Sequence, residues 1–256
     1  MLAVDHVVVS VADLELSMAA FTALGFTVQR GGEHDHTHNA LIIFNDRTYI
    51  ELLSLKATWY RPFLQMLAKC GLLGAVARYT KTFSWRTLHW ITQTYGAIDW
   101  CLRTDDLDAN LNRLAVAGVP LLTCQQFQRR RPDGQQLWFR LGSARDRDLP
   151  FLVEDESHLH DRVPIDGQTQ HANGACGIRQ ITLSVKNVEQ AQVRWSALRS
   201  CENSPWAETG IVFTADADFV GKYALELAYD GQQRVDLDAN RIDQLSISLR
   251  PNGQQD

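Results

Sequence analysis

The sequence predicts an α+β protein: paired βαβββ modules forming a curved-sheet cup, with a helical insert and a third C-terminal βαβββ-like unit. Three observations carry this. VDHVVVSVADLELSMAAFTALGFTV (4–28) and AIDWCLRTDDLDANLNRLAVAGVPL (97–121) align without a gap, setting His6 on Asp99, Asp13 on Asp106 and Gly25 on Gly118. A recurring segment of this kind marks a supersecondary unit used more than once. Each copy then ends in apolar runs parted by turn residues, as in NALIIFNDRTYIELLSL (39–55). Finally, 256 residues with 45% apolar and 21% charged content suffice for a sizeable core and exclude disorder, collagen and disulfide scaffolds.

The first module is expected over 1–55. Its opening strand contains His6, Asp13 begins an amphipathic helix, and Gly25 turns the chain into the second strand. Asn45–Asp46 marks the tight turn of the closing strands. The second module, 96–156, repeats the plan and closes with QQLWFRLG and LPFLVEDE. A third, weaker copy over 177–250 starts from IRQITLSVKNVEQAQVRWSALRS, with Gln180 in the His6 place and Asn187 in the Asp13 place. It is expected to end in GIVFTAD and KYALELAYD. A linker (157–176) and a disordered tail (251–256) complete the chain. In each module the helix covers one sheet face, and two units pair to cover the other. The inward positions of the first and last strands then line a concave pocket.

Residues 56–95 lie outside the repeat and show helical periodicity around Phe63, Leu64, Leu67, Leu72, Val76 and Tyr79. The net charge of −5 hides an asymmetry: 52–98 contains six basic residues and no acid, alongside Trp59, Trp85 and Trp90. Three readings fit: a lid giving the cup an apolar wall and a positive field, a weak contact with an anionic membrane surface, or a subunit contact, such as a homodimer, or packed covering helices whose charges face water. The mild overall acidity argues against nucleic-acid binding. No apolar run is long enough for a transmembrane helix and the first residues lack a basic signal region, so a cytoplasmic protein is expected, its five separated cysteines reading as reduced thiols.

The DH of the first strand, the helix ending in LGF, THNALI and YIELL, followed by IDWCLRTDDL, RPDGQQLWFRL and LPFLVE, resemble the vicinal oxygen chelate superfamily. More narrowly, they resemble its glyoxalase-like domain branch, of the glyoxalase, bleomycin-resistance and dioxygenase type. The likeness covers 2–156 well and 177–230 loosely. It implies a divalent ion (Mn, Fe, Ni, Zn or Mg) held by His6 and Glu51 of the first module and Asp99 and Glu154 of the second. It further implies catalysis by Glu51 and Asp99, a metal-assisted lyase or isomerase acting on a small oxygen-rich, possibly anionic, compound. His38 and Asn39, an arginine of the run 129–131, taken as Arg131, and Trp138 would touch substrate. One histidine with acids is not the two-histidine set of non-haem iron oxygenases, which disfavours dioxygenase chemistry. A metal-free binding or resistance protein using the same cup is the alternative, and membrane association through the insert a second one.

His34, His36 and His38 form H-x-H-x-H, readable as a metal cluster or a solvated loop. His158 and His160 read as exposed connector residues, and His171 has no functional signal. No P-loop, G-x-G-x-x-G, G-x-S-x-G or Cys–His motif appears, so nucleotide hydrolysis and Ser or Cys nucleophiles are disfavoured.

Overall fold

The computed structural model describes residues 2–33, 36–56, 59, 61–70, 80–130, 134–163, 168–199, 209–215, 223–237 and 245–252. Of the expected tail, Pro251 ends the last strand and 253–256 lie outside the described residues. The first module runs β1 (Leu2–Ser10), α1 (Leu14–Ala23), β2 (Gln29–Glu33), β3 (Thr37–Ile43) and β4 (Tyr49–Leu55). The insert supplies α2 (Arg61–Lys69) and α3 (Ser84–Thr92). The second module runs β5 (Gly96–Thr104), α4 (Leu107–Val116), β6 (Leu121–Arg130), β7 (Gln136–Ala144) and β8 (Phe151–Asp155). The connector holds α5 (Leu159–Arg162). Then follow β9 (Ala175–Ser184), α6 (Val188–Arg199), β10 (Gly210–Thr214), β11 (Tyr223–Tyr229), β12 (Val235–Leu237) and β13 (Ser246–Pro251).

The repeat is visible in the local chemistry. Asp13 and Asp106 cap α1 and α4 by accepting from Leu16 N (3.1 Å) and Ala109 N (2.9 Å), and Asn187 does the same for Gln190 N (2.9 Å) at α6. Gly25 and Gly118 both take positive φ, +86° and +74°, where a side chain would be strained.

The two modules share one eight-stranded sheet in the order β2-β3-β4-β1-β5-β8-β7-β6, with the antiparallel pair β1/β5 at its centre. Every residue of β1 is buried, as befits a central strand covered on both faces. The helix-side face contributes Val4, Val7, Val9, Trp100 and Leu102 to the main core. The concave face carries a second cluster built on Val8, Phe83, Ile98, Cys101, Leu141, Phe151 and Val153. The sheet curls until β2 approaches β6: a Cβ on Gly32 would lie 2.7 Å from Cδ of Arg129.

The β1/β5 register shifts at two symmetric places, between Val4 and His6 and between Val8 and Val9, making Asp5 and Ile98 the extra residues. Such a bulge re-aims side chains, and here it precedes His6 in one module and Asp99 in the other.

The C-terminal unit differs from its expected strand plan. KYALELAYD was expected to close a third module, yet β11 runs antiparallel to β9, the place β5 takes beside β1. Its order β10-β9-β11-β13-β12, with β9/β10 and β11/β13 parallel, reproduces β4-β1-β5-β8-β7. Among the described residues it is a reduced copy of a whole pair. Strand pairing is a long-range choice, and alternation along one segment does not reveal which neighbour it takes. This unit shares the main core, with Trp195 against Trp100 (5.2 Å between centroids) and Ile178 N donating to Thr48 Oγ1 (3.1 Å).

Candidate functional site

The cup is a cavity of about 670 Å³ lined by residues of both modules, the insert and the connector. From the first module come His6, Ser10, Asn39, Tyr49, Glu51 and Leu53. Phe127, Arg129, Phe139, Leu141, Phe151 and Val153 come from the second. Arg61 of α2 and Thr87, Trp90 and Ile91 of α3 make a further wall, and Arg162 of α5 closes one side.

The first half is built around His6. Its Nδ1 lies 2.7 Å from Asp5 Oδ2, and its ring stacks on Tyr49 at 4.5 Å and meets Phe151 edge-on at 5.4 Å. Burial pushes the Asp5 carboxyl up. The Arg162 guanidinium outweighs this through its charge and its bonds from Nη1 and Nη2 (2.8 Å each), and holds Asp5 well below the usual carboxylate range. Arg162 is itself fixed by Asp155 (2.6 Å from Nε) and donates to Tyr49 OH (3.0 Å). An ionised Asp5 accepts, so His6 carries a proton on Nδ1 and turns Nε2 to the cup. Nε2 lies 3.5 Å from Glu51 Oε2, and Glu51 Oε1 accepts from Asn39 Nδ2 at 2.5 Å.

The second half is filled. Asp99 faces the concave side, but Arg86 of α3 grips both its oxygens, from Nε and Nη2 at 2.5 Å. Trp90 Nε1 adds a bond at 2.6 Å and the Trp100 amide one at 2.8 Å. Arg86 also donates to Ser143 Oγ (2.6 Å) and the Leu149 carbonyl (2.6 Å). Burial pulls the Arg86 pKa down, the charge of Asp99 pushes it up, and the second effect wins.

The four expected metal donors are therefore not brought together. The alignment that sets His6 on Asp99 also sets Val8 on Cys101, and the parallel partners of these two are Glu51 and Phe151. Phe151, not Glu154, is thus the counterpart of Glu51. Glu154 turns to the helix face, where it accepts from Leu107 N (3.0 Å) and Arg140 Nη1 (2.8 Å). The extra residues in the second module shift the apparent register by three. Asp5, His6 and Cys101 place donor atoms within 4.8 Å of one another. That cluster does not fit a cation, since Asp5 is taken up by Arg162 and burial pushes the Cys101 thiol well up. Of these residues, His6 Nε2 and a Glu51 oxygen remain as donors for an ion.

Of the expected substrate contacts, Asn39 lines the cup. His38, one residue earlier, points to the other face of β3. Trp138 is exposed on the face of β7 opposite Phe139, and Arg131 lies outside the described residues, while Arg129 of the same run lines the cavity. His36 stands exposed at the rim, His34 lies outside the described residues, and His158 and His160 are exposed. His171 is structural: Nδ1 accepts from Thr27 N (2.9 Å) and Nε2 faces the Ile43 carbonyl (3.1 Å). Asp5, Tyr49, Arg61, Arg86 and Arg162 were not anticipated. One signal pointed to Arg86: an acid-free insert must find its counter-ions in another segment.

Paired βαβββ modules around an open cup define a vicinal oxygen chelate fold. A family model described as a glyoxalase-like domain matches residues 4–199, and the chain belongs to that family. No curated protein matches the sequence. Among solved structures, a hypothetical protein from Staphylococcus aureus is similar over 98% of this chain and 100% of its own, at 18% identity and a TM-score of 0.68. That coverage includes the C-terminal unit. The Mn(II)-bound glyoxalase from Novosphingobium aromaticivorans is similar over 90% of this chain and 65% of its own, at 12% identity and a TM-score of 0.45. A xylose isomerase-like TIM barrel/4-hydroxyphenylpyruvate dioxygenase fusion protein is similar over 90% and 36%, at 12% and 0.44. Among the described residues, no helix is long and apolar enough to cross a membrane.

Proposed function

We propose that the cup binds a small oxygen-rich compound and moves a proton on it, the chemistry of an isomerase or lyase. The observation that carries this is the Asp5–His6–Glu51 array, with Nε2 facing a cavity and a carboxylate oxygen 3.5 Å away. His6 Nε2 takes a proton from carbon next to a carbonyl, and Asp5 faces the charge that the ring gains. Glu51 Oε2 stands close enough to receive that proton and return it to a neighbouring carbon. Asn39 holds the other Glu51 oxygen, so the carboxylate keeps one orientation. Phe83, Trp90, Phe127 and Phe151 keep bulk water from the reacting carbon.

The test is solvent deuterium exchange into a panel of carbonyl compounds by metal-stripped, tag-free protein, followed by NMR. Exchange is expected in the wild type and a loss of about 100-fold or more in His6→Gln and Glu51→Gln. Absence of exchange across the panel would overturn the reading.

A second reading places a divalent ion on His6 Nε2 and Glu51. The 3.5 Å separation favours it, as does the Asp5 bond to Nδ1, the outer contact that orients metal-bound histidines. The ion would supply Lewis-acid polarisation of a substrate oxygen. Stoichiometric uptake of Mn, Fe, Ni, Zn or Mg, lost in His6→Ala and Glu51→Ala, would support it.

A further inference from the structure

We infer that the cup takes a ligand with two anionic groups on an apolar body, one seated on Arg129 beside the His6–Glu51 pair and the other on Arg61 at the far end of β1. Which of the two ends reacts rests on the proton-transfer reading above; the dianionic character does not.

Among the described residues, three arginines line the cavity. Arg162 is neutralised by Asp5 and Asp155. For Arg61 and Arg129, no carboxylate lies within ion-pairing distance among the described residues, and each leaves a buried Nε without a hydrogen-bond partner. Arg61 is 3% exposed and, among the described residues, has only uncharged partners. Its Nη2 donates to Ser10 Oγ (3.1 Å) and the Gln93 carbonyl (2.8 Å), and its guanidinium lies 4.0 Å over the Tyr95 ring. Burial pulls its pKa down. A buried cation lacking an anion is a costly arrangement, and a ligand carboxylate or phosphate relieves it, since the guanidinium fork matches two oxygens at once.

Arg129 is placed by a glycine. Its side chain crosses Gly32, and the preceding Gly31 faces the Asn39 side chain that holds Glu51. Its Nη2 makes a long contact with the Arg162 carbonyl (3.4 Å) and no ion pair among the described residues. Arg129 thus lines the same cavity as His6 and Glu51, from the side closed by β2. Arg61 reaches Ser10, four residues along β1 from His6, a span of roughly 13 Å at ~3.3 Å per residue. Leu53, Phe83, Trp90, Ile91 and Phe127 line the cavity with apolar surface. A volume of about 670 Å³ accommodates a molecule of that length.

The probes are linear dicarboxylates of four to twelve carbons, their half-amides and their diamides, titrated calorimetrically into the full chain. We expect the tightest binding at an intermediate length of about six to ten carbons. The best diacid should bind at least tenfold tighter than its half-amide and weaken as salt is raised. Arg61→Met and Arg129→Met should each bring the diacid down to the half-amide level. Arg61→Lys, which keeps the charge and loses the fork, should fall between, and it guards against misfolding of the methionine variant. Diacids binding no tighter than half-amides or diamides would overturn the inference. That result, with proton exchange intact on neutral carbonyl compounds, would sink the dianion alone. Diacid binding without exchange by the wild type would sink the proton-transfer reading alone.

Discussion

The two halves of the cup are built on one plan and used in opposite ways. Both modules bulge before the same aligned position on their first strand, and both turn an acid-base side chain, His6 or Asp99, toward the concave face. In the first half this side chain is backed from behind by Asp5 and Arg162, leaving Nε2 and Glu51 facing the cavity. In the second it is capped from the front by Arg86 and Trp90, and Phe151 replaces the second carboxylate. The lesson concerns charge burial. A carboxylate capped from the cavity side by guanidinium, as Asp99 is, is structural, and one satisfied by a single amide, as Glu51 is, keeps capacity for a ligand.

The largest effect should come from breaking the filled half. Arg86→Met leaves the Asp99 charge buried with its two indole and amide donors, and should cost about 3–5 kcal/mol in denaturant unfolding. The double variant Arg86→Met/Asp99→Leu should recover much of that. Recovery would show that the pair is a packing element and not a binding one.

A smaller effect tests the shared frame. Asp13→Ala and Asp106→Ala remove equivalent helix caps and should each cost about 1 kcal/mol. Values differing by more than about twofold would mean that the modules are less alike than their geometry. A comparable effect lies outside both halves. Burial pulls the His171 pKa down, so its folded value lies below the unfolded one. Its contribution is present above the unfolded value, about 6.5, and is lost as pH falls through the folded value. Thermal unfolding should lose stability below pH 6.5 on the order of the 1 kcal/mol of one hydrogen bond, the Thr27 amide to Nδ1. His171→Gln should flatten that slope.

The smallest stability effect belongs to the open half. Glu51→Gln keeps the Asn39 bond and the shape of the side chain, and should change stability by less than about 0.5 kcal/mol while abolishing proton exchange. A loss of several kcal/mol would make Glu51 a structural group like Asp99, and the contrast between the halves would fail.

Much of this frame is legible in the chain. The ungapped repeat, its Asp caps and its glycines correspond to the observed helices and turns because caps and left-handed turns are local chemistry, set by a residue and its next few neighbours. The inward placement of His6, Asn39, Glu51 and Asp99 follows from strand alternation and the bulges. Three things were decided only by the tertiary structure. Register across the longer second module put Phe151 where an acid was expected. The partner of β9 turned the C-terminal unit into a reduced pair. The partners of buried charges came from segments without periodic pattern: Arg86 from the insert for Asp99, Arg162 from the connector for Asp5. A sequence shows which charges exist, but the pairing of a buried charge is settled by which distant segment packs over it. In this protein that pairing separates a satisfied salt bridge from a candidate site.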